Sequence, residues 1–199
     1  MSDGRHRQTA LTLGAADYAR VCVEHLVRGQ KVPSAPDHPL YRLRAACFVS
    51  LKKNGELRGC IGTLAPAEAD LGGEIARSAR AAAFQDPRFA PVREAELEAL
   101  VCTVDVLSPS EPCSHAELDP ARYGVIVLSG PRRGVLLPDL EGVDTVEAQV
   151  GIARQKAGIR LGERCDLERF TVTRCREGEA ADTTHAALCA TVHDGEVDD

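Results

Sequence analysis

The sequence predicts an α+β fold: a mostly antiparallel sheet with packed helices. Three observations carry this. Helical and strand-like stretches mix along the chain without a regular strand–helix–strand alternation. Asn54-Gly55 sits between two strand-like runs, the strongest two-residue hairpin signal, because both positions tolerate positive φ. The length of 199 residues, with 44% hydrophobic and 27% charged, suits one ordinary domain or two small lobes sharing a core.

Residues 1–11 read as a flexible N-terminus. Leu13, Ala16, Ala19, Val23 and Leu26 recur at helical spacing, which predicts a helix from Thr12 to Arg28 that Gly29 stops. A loop with Pro33, Pro36 and Pro39 follows. Ala45–Lys53 and Glu56–Gly62 form the predicted hairpin. With an unbroken ladder Lys53 faces Glu56, Leu51 faces Arg58 and Val49 faces Cys60. Arg58 and Cys60 then share a face, Cys47 lies diagonal to Cys60, and Leu57 and Ile61 point the other way. Asp70–Phe84 is an Ala-rich helix, ended by Asp86-Pro87. A short helix over 94–100 precedes a strand at Val101–Leu107. Ser108–Pro120 is a connection, and two strands flank the turn at Gly130-Pro131-Arg132-Arg133. Asp144–Glu147 matches a helix start, with Gly158 as its stop. Phe170–Cys175 is read as one last strand.

The net charge of −6 is unevenly placed. Between Glu177 and Asp199 lie seven acids and no Lys or Arg, so residues 177–199 form an acidic tail carrying −7 and the rest carries +1. The near-neutral body lacks the basic footprint of nucleic-acid binders, and 4% aromatics leave little to stack on bases. No apolar run approaches the ~20 residues of a membrane span, and no secretory signal is read at the start. The expectation is a cytoplasmic protein whose eight cysteines are free thiols. No C-x-x-C, H-E-x-x-H, Walker or dinucleotide motif occurs, and no Ser-His-Asp triad can be placed.

Arg58-Gly59-Cys60-Ile61-Gly62 is the most unusual stretch. Two glycines inside a strand mark a bulge or a close backbone approach. A thiol framed by Gly59 and Gly62, with the Arg58 guanidinium nearby, is the recipe for a nucleophile, a redox thiol or an anion notch. The alternative is a buried Cys beside a bulge, with Arg58 on a carboxylate. In Gln85-Asp86-Pro87-Arg88-Phe89 the proline stiffens the loop. Asp86 and Arg88 then either position a substrate or pair to lock the helix end. Lys156 suits a helix C-terminus. His185, Cys189 and His193, spaced four and four, are a weak metal candidate; no metal site is otherwise read.

These residues resemble the AMMECR domain family. Leu57-Arg58-Gly59-Cys60-Ile61-Gly62 is similar to its six-residue signature, and Ala81–Val92 to its second block. Glu96-Leu97, Val104–Ser108, Gly134–Pro138 and Gln155–Gly158 follow in family order, so the resemblance spans residues 12–176. It implies an α+β fold with a larger and a smaller lobe and the signature near the cleft between them. It implies the A component of the AmmeMemoRadiSam grouping, alongside a Memo-type protein and a radical S-adenosylmethionine enzyme. By position it marks Arg58, Gly59, Cys60, Ile61 and Gly62 as the site, with Asp86, Pro87, Arg88 and Phe89 as neighbours. It carries neither a reaction nor a cofactor. Family members often have a tryptophan after the Lys-Ala-Gly block; this chain has none, and Gly162 or its neighbours take that stretch. The acidic tail has no counterpart there.

Two functions remain open on these residues. One is an enzyme or enzyme subunit using Cys60, with Arg58 binding an anion and Asp86 or Arg88 orienting substrate or aiding proton transfer. The other is a binding or adaptor module that holds a small-molecule or peptide ligand in the same cleft without turnover.

Overall fold

The computed structural model describes residues 12–193, with side chains described as far as Cys189. The expected flexible N-terminus therefore lies outside the described residues, as does the side chain of His193. In chain order the elements are α1 (Ala15–Val27), α2 (Pro39–Arg42), β1 (Ala46–Lys53), β2 (Glu56–Gly62), α3 (Leu71–Phe84), β3 (Leu100–Leu107), β4 (Glu111–Pro112), β5 (Gly124–Ser129), β6 (Arg132–Leu136), α4 (Val146–Lys156), β7 (Asp166–Phe170), β8 (Val172–Arg176) and α5 (Ala181–His193). Short 3-10 turns at Glu94–Ala99 and His115–Glu117 complete them.

The strands form two antiparallel four-stranded sheets, ordered β2-β1-β3-β8 and β4-β7-β5-β6. Helices α1 and α3 cover one face of the first sheet, and α4 packs on the second. Each sheet has its own core, the first much the larger. A third apolar cluster, with Ala46, Leu107, Ile126 and Phe170 at its centre, joins them. The fold is α+β with a larger and a smaller lobe.

Local chemistry explains most boundaries. Asp70 caps α3 by accepting from the Gly73 amide at 2.9 Å. The helix then runs to the residue before Gln85 and stops ahead of Pro87. The first helix starts at Ala15 rather than Thr12, because Gly14 is its N-cap and lies against the Glu179 carbonyl. At the β1–β2 turn Asn54 and Gly55 both take positive φ (52° and 86°), as a twist-compatible two-residue hairpin requires. The cap of α4 is Thr145, which accepts from Ala148, one residue later than the predicted Asp144 start.

Two expectations are corrected. Phe170–Cys175 is not one strand. The chain leaves the second sheet at Phe170, turns through Thr171, and enters the first sheet at Val172. Thr171 is held there by Ser108: the Ser108 amide donates to the Thr171 carbonyl at 3.0 Å, and the Thr171 amide donates to Ser108 Oγ at 3.0 Å. The hairpin ladder is also not unbroken. Lys53 faces Glu56 as expected, but Leu51 faces Gly59 and Val49 faces Ile61, leaving Arg58 as the extra residue of a bulge.

Part of the acidic segment is helical. In α5, Ala181 and Thr184 are buried and Leu188 packs on the main core. His38 accepts the Leu40 amide on Nδ1 at 3.1 Å, which leaves Nε2–H to donate to Asp182 at 2.9 Å. This ties α5 to α2.

Candidate functional site

The bulge decides where the signature side chains go. A one-residue insertion flips every later side chain to the opposite face. Gly59 and Ile61 therefore share the face of Val49 and Leu51, against the helices, while Cys60 stands opposite Ser50 on the other face. The expected pairing of Cys60 with Val49, with Cys47 diagonal to it, is thus replaced by pairing with Ser50. Ser50 Oγ lies 3.1 Å from Cys60 Sγ and donates to it. The Cys60 amide points away from β1, so this is a non-hydrogen-bonded pair, the kind in which facing side chains come closest.

That outward amide donates to Asp86 Oδ2 at 2.9 Å. Strand β2 is an edge of its sheet, and the loop after α3 docks on it in place of a further strand. Asp86 is buried, its side chain 1% exposed, and it also accepts from the Arg88 amide at 3.1 Å, Arg88 Nε at 2.9 Å and Arg88 Nη2 at 2.7 Å. Arg88, whose side chain is 54% exposed, reaches back to the Cys60 carbonyl at 3.4 Å. The hydrogen bonds from Arg88, then those of the Cys60 and Arg88 amides, hold the Asp86 carboxyl far below the ordinary carboxylate range despite its burial. It is a fixed anion that clamps the strand edge.

Arg58 is not the cation beside the thiol. Its Nε and Nη2 grip the Glu96 carboxylate at 2.9 and 3.0 Å, and its guanidinium lies 5.9 Å from the Phe89 ring centroid. Arg58, the Arg93 amide and Lys53 together hold Glu96 down at about 2, against its desolvation. The residue beside Cys60 with charge to offer is Arg88, whose guanidinium lies 5.4 Å from the centroid of the same Phe89 ring.

The two glycines do not open space for a ligand. A Cβ on Gly59 would lie 2.3 Å from the Ala82 carbonyl oxygen of α3, and one on Gly62 would lie 2.2 Å from the Cys47 carbonyl oxygen of β1. Both positions are glycine so that β2 can sit directly on neighbouring backbone. What leaves Cys60 half-buried rather than buried is its face of the sheet.

The same face continues across the sheet in register. Cys60, Ser50, Thr103 and Arg176 form one row; Gly62, Phe48, Asp105 and Arg174 form the next. Asp105 is buried and accepts from Arg174 Nε at 2.8 Å and Nη2 at 3.3 Å. Sequence reading missed this polar face. Its signal was the alternation of Ser50, Thr103, Asp105, Arg174 and Arg176 with the apolar residues of their strands.

A cleft of about 510 Å³ lies elsewhere, at the junction of the lobes, walled by segments 43–46, 64–66 and 107–110, by Thr171 and Thr173, and by Leu188 and Cys189 of α5. None of Arg58, Gly59, Cys60, Gly62, Asp86 and Arg88 lines it. Ala46 in its wall and Ser50 at the thiol are four residues apart on β1, about 13 Å of extended strand. The thiol site and this cleft are separate places.

Of the three tail candidates, the side chain of His193 lies outside the described residues. His185 Nε2 is 3.8 Å from Cys189 Sγ, and among the described residues no group of three His, Cys, Asp or Glu side chains could hold an ion. Lys156 donates to the Val135 carbonyl at 3.2 Å. Among the described residues no helix is long and apolar enough to cross a membrane.

Comparison with known proteins gives a consistent answer. The family model AMMECR1 matches residues 16–175. A protein of Thermotoga maritima is 52% identical over 159 residues, covering 76% of this chain and 91% of its own length. A protein of Clostridium acetobutylicum is 45% identical over 157 residues, covering 77% of this chain but 34% of its own length, so this chain spans about a third of that relative. The crystal structure of the uncharacterised protein PH0010 from Pyrococcus horikoshii superposes with a TM-score of 0.75 at 28% identity, covering 83% of this chain and 91% of that one.

Proposed function

This chain belongs to the AMMECR1 family, and from that premise we propose that Cys60 is its reactive centre. The protein then serves as the thiol-bearing component of a system that also contains a Memo-type protein and a radical S-adenosylmethionine enzyme. One observation carries the reading. Cys60 is the only signature side chain that turns a nucleophilic atom onto the polar face of the sheet, with the Ser50 hydroxyl on its sulfur and the Arg88 guanidinium at its backbone.

As a nucleophile the Cys60 thiol loses its proton to solvent. Its sulfur pair then forms a bond to an electrophilic carbonyl carbon of the ligand, and the displaced π pair moves onto the ligand oxygen. Arg88 offers positive charge near that oxygen. Asp86 takes the part of a positioning residue, because the hydrogen bonds of its carboxylate go to Cys60 and Arg88. The test is peptide mass mapping of the protein purified from cells that co-produce the two partners. A covalent adduct on Cys60, absent from Cys60→Ser, is the expected result. An unmodified Cys60 with the partners active overturns the nucleophile.

The saturated state of Asp86 favours a second reading. With that carboxylate fully engaged, the sheet face around Cys60 holds a ligand or peptide without turnover, as an adaptor. Cys60→Ala then retains ligand and partner binding, whereas a nucleophile's ligand is lost with the sulfur.

A further inference from the structure

The cleft at the lobe junction has a chemistry of its own. Its floor and walls are apolar, with Leu43, Ala46, Leu64, Leu107 and Leu188 among them, and its volume of about 510 Å³ falls in the ordinary range for small-molecule sites. Arg44 lines it and is exposed. Among the described residues it has no carboxylate within ion-pair distance, unlike Arg20, Arg58, Arg88, Arg132 and Arg174, each of which has one. A lone guanidinium on the wall of an apolar cleft suits one class of guest: an apolar body that ends in an anion.

The walls are also built to stay in place. The loop that supplies Leu64, Ala65 and Pro66 folds around the carboxylate of Glu74, which is fully buried on α3. Glu74 accepts from the backbone amides of Ala67 and Glu68 and from the Thr63 hydroxyl. The opposite wall is the clasped Ser108–Thr171 junction. A cleft held open by hydrogen bonds on both sides binds without first having to order its lining.

We propose that this cleft is a binding site for a small amphipathic carboxylate, with its apolar body among the leucines and its head group on Arg44. The proposal does not depend on the Cys60 reading; the two sites share no residue, and either can fail alone.

The test is isothermal titration of the full chain with octanoate, octanol and octyltrimethylammonium. Octanoate is expected to bind, at least tenfold more tightly than the alcohol or the cation. Arg44→Gln is expected to remove that preference while leaving the melting temperature in place. Ala65→Trp, an exposed wall position, is expected to abolish binding by filling the space. Cys189 also lines the cleft and is exposed, so octanoate should slow its modification by iodoacetamide, read by peptide mass mapping without any substitution. Absence of octanoate binding overturns the proposal. So does equal binding of the alcohol, unchanged preference in Arg44→Gln, or modification of Cys189 at the same rate with octanoate present. Binding that appears only in a variant ending at His193 overturns it too, and assigns the cleft to the chain's own acidic end.

Discussion

The two faces of the first sheet are made of the same strands, yet one is apolar throughout and the other is polar where it leaves the smaller lobe. Toward the helices stand Cys47, Val49, Leu51, Cys102, Val104, Val106 and Cys175, all buried in one apolar cluster. Burial pushes the Cys47 and Cys175 thiols up to about 12 and Cys102 higher still; Cys22 on α1, in the same core, is pushed up to about 11. On the other face Cys60, Ser50, Thr103, Asp105, Arg174 and Arg176 stand at one end, and Ala46, Phe48, Leu107 and Val172 meet the smaller lobe at the other. The chemistry of a cysteine in this sheet therefore follows from the parity of its position along the strand. Cys60 has the open parity because of a single extra residue at Arg58.

The largest expected effect follows directly. In native protein, iodoacetamide should modify Cys60 about a thousandfold faster or more than Cys47, Cys102 or Cys175. The buried thiols become accessible only when the core opens, which costs much of the global stability. Comparable rates by peptide mapping would erase the distinction between the faces. Next, Gly59→Ala should cost about 3 kcal/mol in urea unfolding, because its Cβ meets the backbone carbonyl of Ala82, which cannot swing aside. A cost below about 1 kcal/mol would mean that β2 can lift off α3.

Asp86→Asn should cost about 2 kcal/mol, since it removes a charge-assisted clamp from the strand edge. It should also alter the acid limb of stability. Asp86 and Glu96 both have folded pKa values below their unfolded ones, so their contribution is complete above about pH 5. It is lost as pH falls from there through about 2, where Glu96 protonates in the folded state. Asp86→Asn should make that loss shallower, read as a smaller drop in melting temperature between pH 5 and 3. The smallest effect is expected from Arg174→Gln. It leaves Asp105 with a neutral donor and should cost about 1–2 kcal/mol without touching the Cys60 alkylation rate.

The elements legible in the sequence are those whose cause is local. Asn54-Gly55 announces its hairpin because the turn needs two residues at positive φ, and Asp70 and Pro87 bracket their helix by capping and by steric exclusion. The bulge was not legible as a register shift. Nothing at Arg58 itself says whether the ladder takes it as a pair or as an insertion; that is settled by Gly59 resting on α3 and by Arg58 reaching Glu96, 38 residues on. Likewise Asp86 and Arg88 could be read as a pair, but not that Asp86 would hold the amide of Cys60, 26 residues away. The break at Thr171 is invisible locally, because Phe170 and Val172 both suit a strand and only the partner sheets differ. The cleft is built from five separate stretches, none of which carries a motif.

The Ser108–Thr171 clasp makes the smaller lobe an insertion in topological terms. The chain departs the first sheet after Leu107 and returns at Val172, and those two residues are partners across β3 and β8. Everything between them, α4 included, could be excised and the gap bridged by a tight reverse turn, giving a minimal protein with α1, α3, its thiol and its main core intact. The cut would uncover Ala46, Phe48, Leu107 and Val172, now covered by Ile126 and Phe170. The smaller lobe thus acts as a stopper on an oily seam, and a miniaturised version would need that seam repainted with polar residues before it stayed in solution.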